Sequence, residues 1–257
     1  MPNRSLTGKA VVIGGGAKNL GGLISRELAA GGAGAIAVHY NSDATRAAAE
    51  ETVAAVRAAG ADAFAHQGDL TRPGEIAALF DAAKARFGKL DIAINTTGMV
   101  IKKPLVEVTE DEYDRMFAVN AKAAFFFIQQ AGKQLADDGN ICTIVSSLLA
   151  AYTPFYAVYP GSKAPIEHFT RAASKEFGER GISVNAVGPG PMDTPFFYPA
   201  ESKESAAYHA TAAALSSRTK SGLTEIADIA PLIRFLVSDG WWITGQTIFA
   251  NGGYTTR

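Results

Sequence analysis

The chain has 257 residues, 47% of them hydrophobic and 19% charged, which supplies one large globular core and leaves too little for a second full-sized domain. The net charge is −1 and the charged residues are scattered, which excludes the basic stripe that nucleic acid or an anionic membrane surface would need. No apolar run approaches the roughly 18 residues of a membrane span. Met1-Pro2-Asn3-Arg4-Ser5 lacks the basic and apolar segments of a secretory leader, and the single Cys142 has no intrachain partner, so a reducing cytoplasm is the expected compartment.

Short Val- and Ile-rich runs alternate with helix-length stretches rich in Ala, Leu and Glu, the pattern of repeated βα units around a parallel sheet. Taken in chain order, the pattern predicts strand Ala10–Ile13, helix Leu20–Ala30, strand Ala35–Tyr40, helix Ala44–Ala59, strand Ala63–Gln67, helix Gly74–Phe87 and strand Leu90–Asn95. Helix Glu110–Leu135, strand Ile141–Val145, helix Tyr156–Phe177, strand Ser183–Val187, helix Glu225–Val237 and strand Thr247–Ala250 follow. Several strands are nearly continuous apolar runs, as required when helices cover both sheet faces, so the expected fold is a single-domain α/β structure with a doubly wound, seven-stranded parallel sheet. Residues 189–223 break the alternation with four early prolines and a small-residue, weakly helical remainder. An insertion after the C-terminal end of a strand is where α/β proteins place a substrate lid.

The first strand runs into Gly14-Gly15-Gly16-Ala17-Lys18-Asn19-Leu20-Gly21-Gly22 and then into a helix. Strand, glycine turn and helix form a dinucleotide cradle: glycines admit the pyrophosphate close to the backbone, and the N–H groups at the helix start attract its charge. The second strand ends Val38-His39-Tyr40-Asn41-Ser42. With Tyr40 where a ribose-binding carboxylate would stand, nothing there repels a 2′-phosphate, Asn41 and Ser42 can donate to it, and Lys18 supplies a positive charge from the loop. The expected cofactor is therefore NADP(H), with Asp43 as the shifted carboxylate through which NAD(H) would bind instead. The four histidines, His39, His66, His168 and His209, show no ligand spacing, so no metal site is expected. Cys142, inside an apolar run, reads as a buried small hydrophobe.

Tyr159 and Lys163 stand four residues apart in Tyr-Pro-Gly-Ser-Lys, a spacing that stacks them on one helical face. A tyrosine with a pKa near roughly 10 exchanges protons poorly at neutral pH, and an adjacent ammonium favours its phenolate. Tyr159 then reads as general acid for carbonyl reduction or base for alcohol oxidation. Pro165 lies two residues beyond Lys163, so either the regular helix begins late enough to hold it in a first turn or the helix bends there.

In this order and spacing the motifs resemble the short-chain dehydrogenase/reductase family, in particular its 3-oxoacyl-acyl-carrier-protein-reductase-like members, and the resemblance runs along essentially the whole chain. The family loop reads Thr-Gly-x-x-x-Gly-x-Gly, against which Gly15 and Gly21 match while Gly14 takes the threonine place and Asn19 a glycine place. The resemblance implies a Rossmann fold, Asp69 and Leu70 beside the adenine, and Asn95 and Gly98 in place of the ends of an Asn-Asn-Ala-Gly turn. It further implies Ser146, thirteen residues before Tyr159, as the hydroxyl that bonds the substrate oxygen, with Ser147 as the alternative. Asn120 is implied to hold a water that relays protons to the lysine, and Pro189, Gly190, Met192 and Thr194 to meet the nicotinamide carboxamide. Lys163 is implied to bind the nicotinamide ribose, and a homotetramer is the usual assembly. The function expected is NADP(H)-dependent interconversion of a small-molecule ketone or aldehyde and its alcohol. A catalytically silent NADP-binding sensor or scaffold would have been expected to lose Tyr159 or Lys163. A sugar-nucleotide epimerase or dehydratase would carry an added C-terminal substrate region.

Overall fold

A computed structural model describes residues 4–256. Met1, Pro2, Asn3 and Arg257 lie outside the described residues, and with them most of the segment read above for a leader and both ends of the expected 1–257 domain. The strands are β1 Ala10–Gly14, β2 Ala35–Tyr40, β3 Asp62–Gln67, β4 Ile92–Asn95, β5 Asn140–Ile144, β6 Ser183–Pro189 and β7 Thr247–Ala250. They form one parallel sheet in the order β3-β2-β1-β4-β5-β6-β7, with Val12 paired to Ala37 on one side and to Ala93 on the other. The order reverses between β1 and β4, the crevice where open α/β sheets bind ligands beyond the strands' carboxyl ends.

Side chains alternate across the sheet, so β1 sends Val11 and Ile13 to one face and Ala10 and Val12 to the other. The first face is covered by α1 Asn19–Ala30, α2 Arg46–Ala58 and α9 Ile226–Leu236, which contribute Ile24, Leu28, Val56 and Ile233. The second is covered by α3 Pro73–Phe87, α5 Ala123–Gln134 and α7 Pro165–Glu176, with Phe80, Phe127 and Ala173 buried there. Each fully buried Ile, Leu or Phe contributes about 1.5–3 kcal/mol of transfer free energy. That supply explains why β1, β2, β4, β5 and β6 are buried along their whole length while the edges β3 and β7 are only partly covered.

Two helices expected to be continuous are broken, both beside the crevice. The 110–135 stretch divides into α4 Glu110–Phe117 and α5, separated by a π-helical turn at Ala118–Lys122, in which Ala123 N–H donates to Ala118 O. The extra residue rotates the wall and carries Asn120, and such turns recur where helices border functional sites. The 156–177 stretch divides into α6 Val158–Lys163 and α7, with Pro165 as the first residue of α7, where its missing N–H costs no internal hydrogen bond. This selects the first of the two outcomes expected for Pro165, a helix that begins at the proline. Within 189–223, α8 Lys203–Ala212 is capped by Ser202, whose hydroxyl accepts the Ser205 N–H at 3.1 Å. Among the described residues no helix is long and apolar enough to cross a membrane.

Candidate functional site

A cleft of about 710 Å³ opens at the β1/β4 reversal and runs from the glycine turn to the 189–223 insertion. The turn is held by its backbone geometry. Gly15 has φ +74° and Asn19 φ +50°, so the asparagine adopts the left-handed conformation that the expected glycine would have taken. A Cβ on Gly21 would overlap the Gly15 carbonyl oxygen and press within 2.7 Å of Thr96 Oγ1, so the helix start packs on the turn with no room for a side chain. The hydroxyl absent at Gly14 is supplied from the facing strand end. Thr96 Oγ1 lies 2.9 Å from Gly14 O and 3.2 Å from Gly15 O, bracing both carbonyls from the far side of the crevice.

His39, which the sequence left among scattered histidines, is a structural member of the same turn. Gly15 N–H donates to its Nδ1 at 3.0 Å and its Nε2–H donates to Gly68 O at 2.8 Å, which joins the ends of β1, β2 and β3. Burial pushes its pKa down to about 4 against the opposing bond to Gly68, so the ring is neutral at physiological pH. The signal available was its place inside an otherwise apolar strand, one residue before Tyr40.

At the same end Lys18, Asn19, Leu20, Tyr40 and Asn41 line the cleft, with Thr45 in the place expected for Ser42. Ser42 stands back from the wall; its carbonyl accepts the Thr45 hydroxyl at 2.9 Å. Asp43, kept above as the carboxylate for NAD(H), is occupied: Arg46 Nη2 donates to it at 2.6 Å and to Gln67 Oε1 at 3.1 Å, and the guanidinium lies 5.9 Å from the Tyr40 ring centroid. Asp69 and Leu70 line the cleft as expected. Burial opposes ionisation of Asp69, but hydrogen bonds from the Thr71 N–H (3.0 Å) and hydroxyl (2.8 Å) outweigh it and hold the carboxyl below its usual range.

Three of the expected reactive residues, Ser146, Tyr159 and Lys163, line the cleft. Ser146 and Ser147 both line the cleft; the Ser146 hydroxyl accepts the Leu148 N–H at 3.2 Å and favours ionisation of the Tyr159 phenol, while Ser147 opens a short 3₁₀ turn. Lys163 is buried and donates to Ile144 O at 2.9 Å and Thr97 O at 3.2 Å. Burial lowers its pKa to about 8. Burial raises the pKa of Tyr159, and the Ser146 hydroxyl pulls it only part of the way back. Gly98 is where the residues meet, because a Cβ there would stand 3.1 Å from Lys163 Nζ and 3.2 Å from Asn120 Oδ1.

Asn120 and Asn95 lie behind the wall rather than on it. Asn120 Oδ1 accepts the Met99 N–H at 2.9 Å, and its Nδ2 donates to Met99 O at 3.0 Å and Ser162 Oγ at 2.9 Å. Its side-chain amide is thus hydrogen-bonded to protein partners. Asn95 Oδ1 accepts the Thr97 N–H (3.0 Å) and hydroxyl (2.6 Å) and so shapes the turn that presents Thr97 and Gly98. On the opposite side Pro189, Gly190, Met192 and Thr194 line the cleft, followed by Phe196 and Phe197. Among the described residues no group of three His, Cys, Asp or Glu side chains could hold a metal. The glycine turn closed to side chains, the hydrogen-bonded strand ends and the absence of a free carboxylate beside Tyr40 all fit a dinucleotide with a phosphorylated ribose.

A family model described as enoyl-(acyl carrier protein) reductase matches residues 15–255. The short chain dehydrogenase/reductase nsrJ of Aspergillus novofumigatus is 36% identical over 263 residues, 96% of each chain. The hydroxynaphthalene reductase-like protein Arp2 of Metarhizium brunneum is 36% identical over 98% of this chain and 97% of its own. Among solved structures, a putative dehydrogenase from Burkholderia cenocepacia with bound NADP superposes with TM-score 0.98 at 67% identity, covering 99% of this chain and 96% of that one. A blue fluorescent protein from a metagenomic library in complex with NADPH superposes with TM-score 0.90 at 33% identity, covering 98% and 100%. The sheet order, the glycine turn and these likenesses over nearly the full length agree on one family, and the chain belongs to the short-chain dehydrogenase/reductases, a family of oxidoreductase enzymes.

Proposed function

We propose that the protein reduces a ketone or aldehyde to its alcohol with NADP(H), using Tyr159 as proton donor. One observation carries the reading: Tyr159, Ser146 and the buried Lys163 line the same cleft that begins at the glycine turn. NADPH supplies the hydride when bound, and every other task falls to the chain. Burial keeps the phenol protonated near neutral pH, which is the state needed to give a proton to a carbonyl oxygen. The Ser146 hydroxyl, which pulls the phenol's pKa back against burial, favours the charge that appears there when the proton leaves. Lys163, with its pKa lowered to about 8, stays an ammonium below that pH, and its bonds to Ile144 O and Thr97 O aim it along the cleft floor.

The far end of the cleft is apolar, with Met99, Val100, Leu148, Phe196 and Phe197, which suits a carbonyl on a ring or an extended apolar chain and agrees with the reductase names of the relatives. Residues 189–223 act as its lid. Exposed Phe125, Phe235 and Trp242 fit burial between subunits of a homo-oligomer. The test is NADPH oxidation across a panel of cyclic ketones, aromatic diketones and acyl-thioester ketones, with Tyr159→Phe as control. Loss of general acid catalysis lowers turnover by about 10²–10⁴-fold. A variant as active as the wild type refutes the assigned proton donor.

A further inference from the structure

We propose that Glu201 is a positioning residue that latches the lid to the segment carrying the proton donor. Glu201 follows the 3₁₀ turn Tyr198–Ala200 in the lid, and its side chain is fully buried. A buried carboxylate is costly unless charge and hydrogen bonds compensate it, and this one is compensated from three separate parts of the chain. Lys102 Nζ lies 2.5 Å from Oε2, the Ser205 hydroxyl donates to the same oxygen, and the Tyr156 hydroxyl donates to Oε1. Lys102 also donates to Ser205 Oγ at 2.6 Å and stands 5.3 Å from the Tyr156 ring centroid. His209 of α8 has Nε2 3.7 Å from the same carboxylate, and the Tyr254 hydroxyl lies 3.0 Å from His209 Nδ1.

A second, independent observation marks where the latch pulls. Phe155, immediately before Tyr156, has φ +69°, a left-handed conformation that a residue with a large side chain holds only when its surroundings force it. Its carbonyl accepts the Lys103 N–H at 2.7 Å. Neighbouring residues therefore grip neighbouring residues: Lys103 holds Phe155 through the backbone, and Lys102 holds Tyr156 through its ring and through Glu201. Tyr156 passes the constraint on, because its carbonyl accepts the Tyr159 N–H at 3.1 Å in the first turn of α6, and the two rings lie 6.3 Å apart. Tyr156 and His209 both line the cleft.

Glu201 reaches the reaction only through these partners. With the carboxylate in place, the lid, the strained Phe155 and the start of α6 form one unit, and the cleft wall beside Tyr159 is set before substrate arrives. Without it, Phe155 is free to relax to an ordinary backbone conformation and the lid loses its anchor to the 151–158 segment. A buried ion pair typically stabilises a fold less than an apolar pair of the same volume does. What this pair adds is fixed direction.

The test compares the wild type with Glu201→Gln, Tyr156→Phe and the apolar pair Lys102→Met/Glu201→Met. Amide hydrogen exchange followed by mass spectrometry needs no substrate. In Glu201→Gln, exchange is expected to rise by about tenfold in both 151–158 and 196–212 while β1 and β4 stay unchanged. NADPH affinity, read by fluorescence, is expected to stay within about twofold while kcat/KM for the carbonyl falls by about tenfold or more. Adding Tyr156→Phe to the apolar pair is expected to cost nothing further, because methionine at 201 already leaves the Tyr156 hydroxyl without its acceptor. The apolar pair is expected to recover the thermal midpoint without recovering kcat/KM, which separates positioning from stability and serves if Glu201→Gln folds poorly. Wild-type exchange in both segments, a change confined to the lid, or full kinetic recovery in the apolar pair overturns the latch. The kinetic arm rests on the reductase reading; if the wild type reduces no carbonyl, that reading fails and the exchange arm still decides the latch.

Discussion

Acidification tests the seat of the glycine turn through a single proton. His39 accepts from Gly15 N–H through Nδ1 and donates through Nε2 to Gly68 O, an arrangement only the neutral ring can make. Protonation puts an N–H on Nδ1 facing the Gly15 N–H, donor against donor. Burial, opposed by the Gly68 bond, brings the folded-state pKa from 6.5 to about 4. Between those values the unfolded chain binds the proton and the folded chain does not, so stability falls as the pH falls. The contribution is fully present above 6.5 and lost once the pH has passed about 4. A gap of about 2.5 pH units at roughly 1.4 kcal/mol each sets an upper bound of about 3.5 kcal/mol, with a slope of about 1.4 kcal/mol per pH unit. Urea unfolding in steps from about pH 7 to pH 4, for the wild type and for His39→Asn, isolates that slope, because the Asn amide can accept from Gly15 without titrating and the other histidines are common to both proteins. The His39 ring resonances are expected to stay unshifted in NMR until near pH 4. A His39 titration near 6.5, or parallel loss of stability in the two proteins, refutes the reasoning.

Gly21→Ala places a methyl against the Gly15 carbonyl oxygen and the Thr96 hydroxyl, so NADPH affinity is expected to fall by about tenfold or more in a fluorescence titration. Tyr40→Asp puts a carboxylate where the 2′-phosphate is expected, and the ratio of NADPH to NADH affinity is expected to drop by about tenfold or more; an unchanged ratio places the phosphate elsewhere. Lys163 carries its charge below a pKa of about 8 and loses it above, so kcat/KM is expected to decline by about tenfold per pH unit on the alkaline side. A profile flat through pH 8 to 10 removes the lysine charge from the mechanism.

Much of this protein is local in character and therefore readable along the chain. The short apolar runs that became β1, β2, β5 and β6, the glycine turn with its positive-φ asparagine, and the four-residue spacing of Tyr159 and Lys163 depend on neighbours within one turn or one strand. Element boundaries shifted by a residue or two, and two long helices broke, at a π turn and at Pro165, because the packing around the cleft competes with helix propensity there. Composition and periodicity thus pointed by themselves to the doubly wound sheet, and motif spacing to the glycine turn at its carboxyl edge and to Tyr159 and Lys163 on one helical face. Tertiary structure alone decided that His39 clasps Gly15, that Thr96 supplies the hydroxyl missing at Gly14, that Arg46 reaches Gln67, and that Glu201 joins Lys102 and Tyr156. Each of those is a side-chain contact between elements or loops the fold brings together, most of them far apart in sequence, and no periodicity along the chain records who a side chain will meet across a folded sheet.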